Sequence, residues 1–141
     1  VDLNAMCMTF LMFINQQGSY QPVDKCPEVQ VITLKELQQL ACKTADCPAR
    51  GFYDRSTKTI YLPAELDLSE TRPSSVFLHE LVHYAQDLSG NWEQDGDECR
   101  ANWLREYHAY RIQAEYLMKN KKTTVPISRL ALSQQMANYR C

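Results

Sequence analysis

The feature that most constrains the fold of this chain is its six cysteines within 141 residues. The count is even and none of them belongs to a C-x-x-C pair, so the spacing of paired zinc knuckles and thioredoxin-like redox motifs is absent. We therefore predict three disulfides and an oxidising compartment, with Cys42–Cys47 as the one link that spacing favours. Scattered buried thiols are the alternative.

Charge and hydropathy limit the possible partners. Fifteen Lys and Arg residues against seventeen Asp and Glu residues give a formal charge of −2, which argues against a nucleic-acid binder. The most apolar stretch, residues 5–14, is too short to span a bilayer. The chain starts at Val1 with no charged segment before an apolar run, which is typical of a mature protein whose export signal has been removed. We expect a secreted or periplasmic monomer with no nucleic-acid and no membrane partner.

Periodicity and turn signals predict a mostly helical domain. Thr33 and Glu36 have the spacing of a capping box, and residues 51–54 and 59–62 flank a turn as in a hairpin. The predicted elements are a helix over 3–16, a strand over 28–32, a helix over 34–42, the hairpin, a helix over 75–88, a helix that residues 95–98 open and that runs to about 117, and a last helix over 126–141. The fold class is thus α+β, a single domain over 1–141 with a small antiparallel sheet.

The sequence His79-Glu80-Leu81-Val82-His83 lies inside the helix predicted over 75–88. Spacing of i and i+4 puts both imidazoles on one face, where they can bind one Zn²⁺. Glu80 lies about 100° around the helix, from where its carboxylate can accept a proton from water at the metal. Two solvated histidines on a surface helix are the alternative. The apolar residues around the motif favour a central helix, on which buried histidines need partners.

A zinc site needs a further protein ligand, and the next predicted helix offers Glu98, Glu106, His108 and Glu115. Glu106 belongs to a stripe with spacings of three or four residues, which also contains Cys99, Trp103, Tyr110, Gln113 and Leu117. His108 lies about 200° from Glu106, so only one of the two can point at the metal. We predict Glu106, with His108 and Glu98 as alternatives. A surface ion pair between Glu106 and a neighbouring Arg is the non-functional interpretation.

Other side chains on these helices are candidates for supporting roles. Tyr110 lies one turn beyond Glu106 and could donate a hydrogen bond to an oxyanion, although a core tyrosine fits the same pattern. Gln86 and Gln113 could orient the ligands, or could simply be exposed. The basic side chains of the second helix are expected on solvated faces, and these are Arg100, Arg105, His108 and Arg111.

The H-E-L-V-H-Y-A-Q sequence, followed by Cys99, Glu106-x-x-Ala-Tyr-x-x-Gln and Tyr116-Leu117, resembles the small gluzincin-type zinc metallopeptidases. The resemblance covers residues 51–117 and implies a zincin-like minimal domain. It implies His79, His83 and Glu106 as zinc ligands and Glu80 as the general base. It also implies that the preceding hairpin supplies an edge strand, near 59–62, for an extended peptide. The family often has a second acidic residue two positions after the glutamate ligand, where this chain has His108.

These observations predict a zinc-dependent hydrolase, a metallopeptidase that cleaves a peptide or protein substrate with Glu80 as general base. A zinc amidase acting on cell-wall peptides would use the same metal chemistry in a different cleft. A non-catalytic secreted protein that binds zinc or a partner is the third reading, in which the histidine pair is structural.

Overall fold

Four helices and three strands make up the part of the chain that the structure, a computed structural model, describes, namely residues 1–42, 49–90 and 98–120. They are α1 (Leu3–Gln17), β1 (Glu28–Ile32), α2 (Leu34–Cys42), β2 (Phe52–Asp54), β3 (Thr59–Pro63), α3 (Thr71–Leu88) and α4 (Glu98–Lys119). The α+β prediction is confirmed. The helix predicted over 126–141 lies outside the described residues, and the single-domain assignment stays a prediction.

Side-chain caps determine where the first two helices begin. The Asp2 carboxylate accepts hydrogen bonds from the backbone N–H groups of Asn4 at 3.0 Å and Ala5 at 3.1 Å. At the start of α2, the Thr33 hydroxyl lies 2.8 Å from the Glu36 carboxylate and accepts from the Glu36 N–H at 3.2 Å. These contacts satisfy N–H groups that have no acceptor inside the helix. The predicted capping box is confirmed.

The helix that carries the two histidines, α3, begins at Thr71, four residues before the predicted start, and ends at Leu88 as predicted. Pro73 therefore lies in the first turn rather than ahead of the helix. A proline is tolerated there because the first N–H groups of a helix have no intrahelical acceptor. Gly90 follows the helix with a φ of 78°, in the left-handed region that glycine favours.

The sheet is mixed and has the strand order β1-β3-β2. β2 and β3 form the predicted antiparallel hairpin, with Tyr53 opposite Ile60. β1 lies parallel to β3, with Glu28 opposite Thr59, so the expectation of an antiparallel sheet is wrong for this strand. Parallel neighbours need a crossover, and the chain between β1 and β3 contains α2. β3 is consequently the central strand. The predicted peptide-binding edge near 59–62 is wrong because that segment is paired on both sides.

The core is built around α3, as the apolar residues beside the histidines predicted. Phe77, Leu78, Leu81 and Val82 of this helix have 0% exposure. The ring of Phe10 in α1 meets that of Phe77 edge-on, with centroids 5.8 Å apart. Contacts with α1, α4 and the sheet thus enclose α3. Polar side chains on such a helix require partners inside the protein.

Disulfides tie the helices to the segments around them. Cys7 in α1 is bonded to Cys26, just before β1. Cys42 and Cys99 are also disulfide-bonded, and no described cysteine is free. The prediction of disulfides is confirmed for these four residues, whereas the Cys42–Cys47 link stays a prediction because Cys47 lies outside the described part. None of the described helices has the length and apolar character needed to cross a membrane.

Candidate metal centre

His79 and His83 lie one turn apart on the buried side of α3, with 6% and 5% of their surface exposed. Their ring centroids are 4.9 Å apart. Glu106 reaches them from α4, which packs against α3. Nε2 of His79 lies 3.1 Å from one Glu106 carboxylate oxygen, and Nε2 of His83 lies 2.8 Å from the other. Helical periodicity on two packed helices therefore brings the three predicted ligands to one point.

Within the described residues, these three side chains form the one cluster of His, Cys, Asp or Glu that could hold a metal ion. One ligand atom from each lies within 4.8 Å of the others. Four ligands around zinc at bond lengths of about 2.0–2.1 Å are about 3.3 Å apart in a tetrahedral arrangement. The nitrogen–oxygen distances of 2.8 and 3.1 Å are close to that spacing. The donor set fits a divalent cation.

Gln86 determines which nitrogen of His83 carries a proton. Its amide N–H groups donate to the backbone carbonyl of Arg105 and to the Tyr20 hydroxyl, each at 3.0 Å. A backbone carbonyl can only accept, so the amide nitrogen faces Arg105 and the amide oxygen faces His83. That oxygen lies 2.8 Å from Nδ1 of His83. In the neutral ring, Nδ1 therefore carries the hydrogen and Nε2 presents its lone pair.

Gln113 sets the tautomer of His79 in the same way. The Ser75 hydroxyl donates to the Arg72 carbonyl at 2.6 Å and accepts from the Gln113 amide at 2.9 Å. The Gln113 oxygen then faces Nδ1 of His79 at 3.0 Å, and this nitrogen carries the hydrogen. The predicted role of Gln86 and Gln113 in orienting the ligands agrees with these contacts.

Three hydrogen-bond acceptors consequently converge, namely two Nε2 lone pairs and one carboxylate. Such a group is stable only with a positive charge near its centre, either a proton on an imidazole or a metal cation. Burial alone would lower the pKa of His83, but the carboxylates of Glu106 and Glu80 raise it to about 9. Burial would raise the pKa of Glu106, but hydrogen bonds to His79 and His83 hold it well below its ordinary value. Both shifts have the direction expected when the Glu106 carboxylate stabilises positive charge on the neighbouring imidazoles.

Glu80 lies beside this cluster and is 7% exposed. Burial raises its pKa, whereas His79, His83 and a backbone hydrogen bond from Tyr53 in β2 oppose the shift. Gly51 borders the same carboxylate. A Cβ at Gly51 would lie 2.9 Å from Cγ1 of Val76 and 3.0 Å from Cγ of Glu80, so a side chain there would require these neighbours to shift. The start of β2 thus fixes the position of Glu80.

The other predicted site residues lie in different surroundings. The Tyr110 ring packs against His79 with centroids 4.4 Å apart, and its role as an oxyanion donor stays a prediction. His108 and Glu98, the alternative ligands, are exposed and do not belong to the cluster of ligand atoms. The third side chain of the cluster in this structure is that of Glu106.

Arg105 is the residue that sequence reasoning misplaced. It was expected on a solvated face, yet it is 8% exposed because its turn of α4 contacts α3 through Gln86. Burial lowers the pKa of its guanidinium, and the carboxylates of Glu98 and Glu106 oppose that shift. A signal was present, since Arg105 begins a stripe that continues at Ala109, Ile112 and Tyr116 with helical spacing.

Comparison with known proteins identifies the family. A family model described as Domain of unknown function (DUF6647) matches residues 2–136. The chain belongs to this family. No curated protein and no solved structure matches it. The DUF6647 description assigns no activity, so the function of this member has to be argued from the geometry of its site.

Proposed function

We propose that this DUF6647 domain is a zinc-dependent hydrolase, specifically a metallopeptidase. His79, His83 and Glu106 would hold Zn²⁺. The observation that carries the proposal is the convergence of two imidazole lone pairs and one carboxylate, with both rings oriented by buried glutamines. Two neutral imidazoles and one carboxylate are a donor set that catalytic zinc sites use, and such sites keep a further position open.

The side chains around the ligands suit hydrolysis. When bound, zinc supplies Lewis acidity, which polarises a substrate carbonyl and makes water easier to deprotonate. Glu80 would serve as the general base, accepting a proton from water and passing it to the leaving amine. Its carboxylate is held by Gly51 and by the Tyr53 backbone, so little reorganisation is needed.

The strand suited to a peptide substrate is β2, rather than the predicted segment over 59–62. Among the described residues, β2 has a neighbouring strand on one side only, and its Tyr53 backbone contacts Glu80. An extended peptide can add to such an edge by main-chain hydrogen bonds. We infer that the substrate backbone lies along Phe52–Asp54, which places its carbonyl groups near Glu80.

The disulfides support a secreted or periplasmic location for this enzyme, since they persist in oxidising compartments. We expect it to act as a monomer on a peptide or protein substrate. Its resemblance to gluzincin-type metallopeptidases supports the same reaction class without specifying a sequence that it cleaves.

The Glu80→Gln variant tests the reaction directly. We expect unchanged zinc content, measured by atomic absorption, and loss of cleavage of a peptide library followed by mass spectrometry. The matched control is Glu115→Gln, which changes an exposed glutamate of α4 and should keep both properties. Undiminished cleavage by the Glu80→Gln protein would rule out this mechanism.

The same experiments also test two other functions. Cleavage of peptidoglycan fragments with no cleavage of the peptide library would identify a cell-wall amidase. The 2.8 Å contact between His83 and Glu106 also suits a structural ion pair. A protein that holds zinc through four protein ligands, or that holds no zinc, would support that non-catalytic reading.

A further inference from the structure

We propose that Tyr20 is a positioning residue for the metal ligand His83, acting through Gln86, and that the segment closed by the Cys7–Cys26 disulfide holds Tyr20 in place. The inference rests on the proposed metal site. It concerns a part of the chain far from the H-E-x-x-H helix in sequence, since Tyr20 and Gln86 are 66 residues apart.

The contact chain begins at the Gln86 amide, which is 1% exposed. An amide group has two N–H donors. One donates to the Arg105 carbonyl and the other to the Tyr20 hydroxyl, each at 3.0 Å. The amide oxygen, 2.8 Å from Nδ1 of His83, is oriented by these two contacts. Removing the Tyr20 hydroxyl would leave a buried N–H without its acceptor. The Arg105 carbonyl would still keep the amide from turning over, so the expected effect is a weaker contact with His83 and not a reversed one.

The segment between α1 and β1 holds Tyr20 from both sides. The Asn15 side chain donates to the Val23 carbonyl at 2.9 Å and accepts from the Val23 N–H at 3.0 Å. The Gln21 N–H donates to the Ser89 hydroxyl at 3.0 Å. Beyond these contacts, the disulfide joins Cys26 to Cys7 in α1. Tyr20 itself packs against the core. These contacts fix the backbone at Tyr20 and therefore the position of its hydroxyl.

The two histidines differ in how they are supported. Gln113, the partner of His79, is held by Ser75, which lies on the same helix as both histidines. Gln86, the partner of His83, is held by the Arg105 carbonyl of α4 and also by Tyr20, which lies outside α3 and α4. A change at Tyr20 should therefore affect His83 and leave His79 unchanged, whereas a general loss of stability would affect both rings.

The experiment compares Tyr20→Phe with the wild-type protein by two measurements. Zinc affinity, measured by chelator competition, should fall about threefold to tenfold, less than the about 10–100-fold typical of a group that contacts the ligand itself. In NMR spectra of the metal-free protein, the Nδ1–H signal of His83 should shift and that of His79 should not. The matched control is Tyr116→Phe, which removes a hydroxyl from another half-buried tyrosine packed on the core.

A double-mutant cycle tests whether Tyr20 affects zinc affinity through Gln86. In a Gln86→Ala background, Tyr20→Phe should cause no further loss of zinc affinity. If Tyr20→Phe lowers the melting temperature but leaves zinc affinity and the His83 signal unchanged, the positioning role is wrong. If the wild-type protein binds no zinc, the proposed function fails, and the His83 signal still decides whether Tyr20 positions the ring.

Discussion

Gly51 is a single residue on which the position of the proposed general base depends. A methyl group there would approach Cγ1 of Val76 to 2.9 Å and Cγ of Glu80 to 3.0 Å. Val76 is short and branched, so it cannot move aside easily. Overpacking of this kind costs about 1–3 kcal/mol. The close approach links the start of the hairpin to α3.

We therefore expect Gly51→Ala to lower the free energy of unfolding by about 1–3 kcal/mol and to reduce peptide cleavage more than zinc affinity. Urea denaturation, peptide cleavage and chelator competition measure the three effects. Adding Val76→Ala should restore part of the lost activity, because it removes the atom that the new methyl group meets. A Gly51→Ala protein with wild-type stability and turnover would show that the space is larger than this structure indicates.

The three side chains of the candidate metal site could be predicted at this scale because helical periodicity on α3 and α4 places them. The i, i+4 spacing fixes His79 and His83 relative to one another, and the stripe on α4 selects Glu106. The stripe that Arg105 begins on α4 indicates a buried face, but the degree of its burial depends on how closely α3 approaches α4. The contact of Tyr20 with Gln86 gave no sequence signal, since it joins segments that are distant along the chain.

At the scale of elements, Asp87 joins the end of α3 to the β2–β3 hairpin. Its side chain is 4% exposed and accepts hydrogen bonds from the Tyr53 hydroxyl at 2.6 Å, the Lys58 ammonium at 2.9 Å and the Arg55 guanidinium at 3.1 Å. Burial alone would raise the pKa of Asp87, but these three donors hold it below its ordinary value. The depressed pKa means that the ionised carboxylate stabilises the folded state.

Because the pKa of Asp87 is lowered in the folded protein, the contribution of Asp87 to stability decreases as the pH falls. Stabilisation by Asp87 is fully present above its unfolded pKa of about 3.9 and is lost as the pH falls through the lower folded value. We expect Asp87→Asn to lower the free energy of unfolding by about 1–3 kcal/mol at neutral pH, and the difference to shrink in acid. Urea denaturation of the metal-free proteins at pH values of about 7 and 3 measures this.

The matched control is Asp67→Asn, because Asp67 is exposed and its pKa is lowered by hydrogen bonds from Ser69. Its substitution should have a smaller effect at neutral pH. An Asp87→Asn difference of equal size at both pH values would contradict the account, since it would show that the charge of Asp87 does not contribute.

Local elements were predicted well, whereas their pairing was only partly predicted. Caps and turn residues specify α1, α2 and the hairpin, because those signals act within a few residues. The parallel pairing of β1 with β3 depends on the crossover that contains α2, and no short-range signal reports it. That pairing makes β3 central and leaves β2 as the strand beside Glu80.

At the scale of the whole molecule, the Cys7–Cys26 disulfide joins α1 to the start of the sheet across a sequence separation of 19. Closing a loop of this length stabilises a protein by about 2–4 kcal/mol, mainly by restricting the unfolded chain. We expect the Cys7→Ala/Cys26→Ala double variant to lose that amount in urea denaturation. The double variant is preferable to a reducing agent, because Cys42 and Cys99 are also disulfide-bonded.

Zinc affinity of the same double variant should fall to about the level of Tyr20→Phe, because the disulfide-closed segment presents the Tyr20 hydroxyl to Gln86. Equal stability with and without the disulfide would contradict the structural account. Lower stability with unchanged zinc affinity would show that the disulfide does not support zinc binding.

The central claim is that His79, His83 and Glu106 bind one zinc ion, and the most direct test is the zinc content of purified protein. We expect one equivalent in the wild-type protein and in His108→Ala, which changes the exposed third histidine of the chain. His79→Ala, His83→Ala and Glu106→Ala should each retain little or none after dialysis. Equal zinc content in His79→Ala and the wild type, or none in the wild type, would contradict the account.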